Sequence, residues 1–96
     1  MLHIIAQSTL NNAMLERTNP GDYLVFIESA VFILVKDSAM GKKVNNFSDQ
    51  RKFYALEADL QLRGLQKNQI INNVTLIDYA EFVDLVVTYP PVASWR

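Results

Sequence analysis

A small three-layer α/β domain with a mostly parallel sheet of four to five strands is the fold class this sequence predicts, and two observations predict it. The first is residues 74–87, VTLIDYAEFVDLVV. Val74, Thr75, Leu76 and Ile77 make a β-branched and aliphatic run, too short for a helix and suited to a buried strand. The period then changes, and Tyr79, Phe82, Val83, Val86 and Val87 recur at the spacing of one helical face. Asp78 stands at the junction, where a carboxylate accepts hydrogen bonds from the free N–H groups of a first turn. Glu81, three residues on, completes a capping-box pair and adds a negative charge near the positive end of the helix dipole. The second observation is that strand candidates alternate with helix candidates along the whole chain. Such alternation implies a parallel sheet between helices, a doubly wound arrangement.

Each element follows in order. Residues 2–6 form a nearly continuous apolar run, as expected of a strand covered on both faces. Ser8, Thr9, Asn11 and Asn12 favour caps and turns, and residues 13–17 read as a turn or two of helix. Asn19-Pro20-Gly21-Asp22 is a strong turn signal before a second strand at 23–27. The run Val31-Phe32-Ile33-Leu34-Val35 reads by itself equally well as a strand. Its link, Glu28-Ser29-Ala30, is poor hairpin chemistry, whereas Ser29 is a good N-cap; a buried helix is therefore favoured over a β-hairpin. Residues 37–50 are rich in Lys, Asn and Ser and read as an exposed loop. A third strand is expected at 52–56, then a short helix over 57–63 closed by Gly64. Pro90-Pro91 ends the last helix, and residues 92–95 add a brief edge strand.

Composition narrows the function. At 96 residues the chain is expected to form a single domain over 1–96. Half its residues are hydrophobic, an excess that many small domains satisfy only by covering it with a partner. A formal net charge of −1, a pI near 5.7 and no basic run longer than Lys42-Lys43 give no footprint for direct nucleic-acid binding or for a polybasic membrane patch. The absence of cysteine excludes disulfides, thiolate metal sites and any chemistry in which this chain itself carries a persulfide. With His3 the sole histidine, a His-rich metal site is excluded as well, and no cofactor is implied. The opening residues lack the pattern of a signal peptide and no apolar run is long enough to span a membrane, so a soluble cytoplasmic protein is expected.

Candidate chemistry is sparse. Gly21, Gly41 and Gly64 are isolated, with no phosphate-binding glycine motif. His3 lies in a buried strand, where a core histidine is the ordinary reading rather than a general base. Glu57 with Asp59, and Asp78 with Glu81, sit at helix starts, which accounts for them electrostatically; Arg63 in a last turn has the same ordinary explanation. No catalytic residue is assigned. Trp95 either packs back on the sheet or anchors a partner, two readings of equal standing.

The sequence also resembles a family. Met1-Leu2-His3 and Gly21-Asp22 are weak signals. Tyr54-Ala55-Leu56-Glu57 with Asp59-Leu60 and Arg63-Gly64-Leu65 is sharper, as is Ile77-Asp78-Tyr79 with Phe82-Val83, Leu85-Val86 and a near-terminal tryptophan. Together they resemble the TusB/DsrH family nearly end to end. One departure is Ser29-Ala30, where many members have Asp-Gly.

The resemblance implies a DsrE/F/H-like fold and a place in a TusBCD-like heterohexamer, with TusC-like and TusD-like subunits as partners and two copies of each chain. That complex relays persulfide sulfur from a cysteine desulfurase through TusA, onward to TusE and a thiouridylase, for 2-thiolation of wobble uridine in tRNA. The sulfur-bearing cysteine there belongs to the TusD subunit, consistent with a cysteine-free, non-catalytic structural subunit here. Phe32, Tyr89 and Trp95 are the expected subunit-interface residues. Two alternatives stay open: a subunit of a DsrEFH-like sulfur oxidation complex, or a self-associating module (a homo-oligomer in isolation) that binds a small anion near Ser8, Glu28 and Asp78.

Overall fold

Five short strands pair side by side, the central three covered on both faces as their largely unbroken hydrophobicity requires. They are β1 (Leu2–Ile5), β2 (Tyr23–Phe26), β3 (Lys52–Leu56), β4 (Val74–Ile77) and β5 (Val92–Trp95). All neighbours are parallel, in the order β4-β3-β2-β1-β5. The computed structural model describes residues 1–7, 16–47, 50–89 and 92–95, with Trp95 through its backbone alone. The brief edge strand expected at 92–95 is therefore present, paired with β1. The helix expected over 13–17 lies largely outside the described residues.

Side-chain alternation along the strands divides the core into two layers. Ile5, Leu24, Phe26, Phe53, Ala55 and Val74 face one side, where Phe26 and Phe53 meet edge to face at 5.8 Å. Covering them are a 3₁₀ helix (Glu28–Leu34), helix α1 (Ala39–Asn45) and helix α2 (Glu57–Leu62), through Val31, Leu34, Val44 and Leu60. Leu2, Val25, Ile27, Leu56 and Ile77 face the other side, against helix α3 (Tyr79–Thr88). The three layers of the expected fold class are thus in place.

The segment 28–34 is helical, as favoured, but as a 3₁₀ helix without the Ser29 cap. The helix starts two residues earlier than a Ser29 cap would set it, with Ile27 at the N-cap position. Glu28 adopts a left-handed backbone (φ 53°), and its N–H donates to Asp59 Oδ2 at 2.8 Å, so a carboxylate from α2 holds the turn. Ser29 Oγ instead donates to the Ala6 carbonyl, at 3.4 Å.

The exposed loop expected at 37–50 is corrected: its centre is α1. Ser38 caps it, its Oγ accepting from Gly41 N–H at 2.9 Å and donating to the Val35 carbonyl at 2.8 Å. Lys42 and Lys43 sit in the last turn, where cations suit the dipole. Met40, Val44 and Phe47 form a narrow apolar stripe on the core, hidden in the sequence among lysines and asparagines.

The remaining punctuation is as read. Helix α2 ends in a Schellman motif, with Leu65 N–H donating to the Leu60 carbonyl (2.9 Å) and Gly64 N–H to the Gln61 carbonyl (3.1 Å). Gly64, at φ 71°, takes the left-handed position this needs. Asp78 and Glu81 form the capping box of α3: Glu81 N–H donates to Asp78 Oδ1 (2.8 Å) and Asp78 N–H to Glu81 Oε1 (3.2 Å).

Candidate interaction surface

The sheet geometry first settles the chemistry-bearing residues. His3 is buried in β1, beside Asp22 at the mouth of β2. The turn 19–22, closed by Asp22 N–H to the Asn19 carbonyl at 3.0 Å, aims the Asp22 carboxylate back across the sheet end. Its Oδ2 accepts from Asn19 N–H and lies 2.9 Å from His3 Nε2; its Oδ1 is 3.0 Å from the Met1 amine. An ionised carboxylate only accepts, so Nε2 carries the proton. Burial pushes this carboxyl up, but the Asn19, His3 and amine contacts outweigh it and lower it from the ordinary 3.8 to about 2. The cluster ties β1 to β2. It has no nucleophile and opens onto no cavity among those described, so it reads as a structural clasp.

The carboxylates at the strand ends are likewise occupied. Asp59 accepts from Glu28 N–H and pairs with Arg63 Nη1 at 3.4 Å, Glu57 accepts from Gln61 at 3.3 Å, and Asp78 and Glu81 cap each other. Arg51 is engaged too: its Nε and Nη2 donate to Thr18 Oγ1 and the Thr18 carbonyl at 2.6 and 2.8 Å, over the Phe47 ring. Among the described residues no group of three or more His, Asp or Glu could hold a metal ion. No described helix is long and apolar enough to cross a membrane. Ser8, one corner of the anion site considered above, lies outside the described residues.

What the fold leaves conspicuous is apolar surface. Phe32 projects from the 3₁₀ helix with 45% of its surface exposed while Val31, Ile33 and Leu34 beside it are buried. Tyr89 caps the end of α3, 38% exposed, its ring packed edge-on against Tyr23 at 4.4 Å. Hydrogen bonding with the Tyr23 hydroxyl pushes the Tyr89 hydroxyl above its ordinary value. The β5 register sets Trp95 opposite Ile5; its side chain lies outside the described residues. Phe32 packs with the layer of α1 and α2, whereas Tyr89 belongs to that of α3, so the two do not form one patch.

Helix α3 holds a further surface that periodicity alone misplaces. The expected single stripe is split: Phe82 and Val86, joined by Leu85, meet the sheet, while Tyr79, Val83 and Val87 stand exposed at 68%, 49% and 74%. A helix so apolar over more than half its circumference is turned by the sheet toward its bulkiest row, and the neighbouring row is left outside. The signal was available in the sequence, since a helix apolar beyond one face has something further to cover.

This is a parallel α/β scaffold with apolar side chains exposed on its helices, and the same architecture is found in the Escherichia coli YchN protein. The two superpose with a TM-score of 0.78 over 98% of this chain and 97% of that one, at 12% identity. The family model for DsrH-like protein matches residues 6–92. Protein TusB of Pectobacterium parmentieri is 34% identical over 99 residues, covering 99% of this chain and all of the relative. Protein TusB of E. coli K12 is 36% identical over 98 residues with the same coverage. The chain belongs to the TusB/DsrH family.

Proposed function

We propose that this chain is a non-catalytic structural subunit of a TusBCD-like sulfur relay complex supporting 2-thiolation of wobble uridine in tRNA. The observation that carries the reading is the end-to-end likeness to proteins named TusB in a chain without cysteine. Sulfur is passed between proteins as a persulfide on a thiolate, and a chain without one takes part by holding others in place. The engaged state of His3, Asp22, Asp59 and Arg63 supports the same reading, because each has a structural duty. The partners are TusC-like and TusD-like chains in a cytoplasmic heterohexamer, with this chain acting as one domain and making no direct nucleic-acid contact. Phe32, Tyr89 and Trp95 are proposed as contact residues.

Native mass spectrometry of this chain co-expressed with the host's TusC-like and TusD-like proteins tests the assembly. The expected mass is that of two copies of each. Phe32→Asp is expected to weaken assembly about tenfold or more while leaving the melting temperature of the isolated chain within a few degrees, because the ring is already half exposed. Unchanged assembly by a folded Phe32→Asp chain would remove that residue from the interface. A wild-type chain that stays alone beside both partners would contradict the reading itself.

A further inference from the structure

We propose that the paired clefts between Lys36, helix α1 and residues 67–72 bind a small ligand carrying linked phosphate groups, a diphosphate or triphosphate chain. The sequence has no basic run longer than Lys42-Lys43, yet folding brings lysines from three separate segments to one place. A cleft of about 370 Å³ is lined by Lys36, Lys67, Asn68 and Asn72, with Ile70 and Ile71 in its walls. A second, of about 250 Å³, is lined by Lys36, Lys42 and Asn72. The two share Lys36, Ile71 and Asn72, so three ammonium groups border one continuous hollow. No described Asp or Glu lines either cleft, and none of the three lysines is ion-paired among the described residues.

Backbone bonds hold the framework under these side chains. Lys36 N–H donates to the Gln69 carbonyl and Ile71 N–H to the Leu34 carbonyl, both at 2.9 Å, around an antiparallel bridge of Val35 with Ile70. Helix α1, which carries Lys42, is tied to the same Val35, whose carbonyl accepts from the capping Ser38 hydroxyl at 2.8 Å. The three segments are therefore stitched to one another, and only the lysine stems have to settle around a ligand. The helix dipole accounts equally for Lys42 and Lys43, but it gives no reason for Lys36 and Lys67 on the facing segments.

Charge density decides which ligand. Glu57, Asp59, Asp78 and Glu81 stand at helix starts beyond the carboxyl ends of β3 and β4. The lysine hollow lies toward the amino ends, where Arg51 and Lys52 line a neighbouring cleft that also has Asn72 in its wall. Folding thus separates charges that a net value of −1 conceals, and the positive side draws anions. Three cations converging on one hollow match an anion that packs several charges into a few bonds, as linked phosphates do. Lysine meets phosphate as a point charge, and the Asn68 and Asn72 side chains offer neutral donors. An acidic peptide instead spreads its same-side carboxylates about 7 Å apart along an extended chain, and RNA needs a longer basic track.

Calorimetric titration of the full chain with inorganic triphosphate, and separately with ATP, both free of divalent cations, tests the site. Saturable one-to-one binding that weakens with added salt is expected. Lys36→Gln removes the cation common to both clefts and is expected to raise Kd about tenfold; Lys67→Gln is expected to raise it several-fold. Lys43→Gln removes the same charge from α1 at a position lining neither cleft, and is expected to leave Kd within about twofold. All these lysines are exposed, so the variants are expected to melt as the wild type does; should Lys36→Gln melt lower, Lys67→Gln decides. Tighter binding of ATP than of triphosphate would support the site with a nucleotide as its ligand, and equal binding would support it with a bare phosphate chain. No saturable binding at millimolar ligand would overturn the proposal. Equal losses in Lys36→Gln and Lys43→Gln would also overturn it, since they mean diffuse surface charge. A glutamate hexapeptide or a single-stranded RNA bound more tightly than triphosphate would overturn the ligand class. The relay reading stands or falls separately, on assembly.

Discussion

Asp22→Ala is expected to destabilise the protein by about 3 kcal/mol, the scale for removing one partner from a buried charge cluster. The substitution deprives three donors at once: the Asn19 N–H, the buried His3 ring and the Met1 amine. His3 has almost no access to water, so its Nε2–H loses a partner that solvent cannot replace. For a domain of this size, with a stability of about 5–15 kcal/mol, that is a large fraction. The same carboxyl gives the wild type a pH signature. Its folded value, about 2, lies below the ordinary 3.8, so its contribution is fully present above about pH 4. It is lost as pH falls from there toward 2, amounting to about 2–3 kcal/mol. Urea midpoints measured between pH 7 and pH 2 check both statements. Asp22→Ala should be less stable at neutral pH, and its disadvantage should shrink across that acid window.

Gly41→Ala is expected to cost about 2–3 kcal/mol, although alanine is the better helix former. A Cβ at this position would collide with the backbone carbonyl oxygen of Val35 and press on Ser38 Oγ. Neither yields easily, because Ser38 Oγ is fixed by two hydrogen bonds, one of them to that carbonyl. Helix α1 must then move off the 3₁₀ helix, loosening Val44 from the core. A helical glycine whose replacement by alanine lowers the urea midpoint marks close approach; a rise in the midpoint would show that α1 is free to shift.

These two positions also show what the sequence made legible and what it hid. The β4–α3 unit could be read because each local signal agrees with the tertiary one: β-branched residues in the strand, Asp78 and Glu81 at the cap, then a change of period. Gly64 was readable for the same reason, since only the local backbone sets its role. Helix α1 was not, because its amphipathic stripe is only Met40, Val44 and Phe47, and the reason for Gly41 lies in a carbonyl six residues away. The clasp formed by His3 and Asp22 joins residues nineteen positions apart, which no spacing rule connects. At the candidate interface, composition announced apolar excess but could not say which row of α3 would remain outside. That depends on how the sheet orients the helix, and the structure shows Phe82, Leu85 and Val86 turned inward.

The central claim, a cysteine-free scaffold subunit in tRNA sulfur relay, is tested most directly by quantifying thiolated wobble uridine in the host's tRNA. Nucleosides from wild-type cells are compared by mass spectrometry with those from cells lacking this chain, and from the same cells with the chain restored. The account predicts a severe loss of the 2-thio derivative without the chain and its return on restoration. Undiminished 2-thiouridine in cells lacking the chain would contradict it.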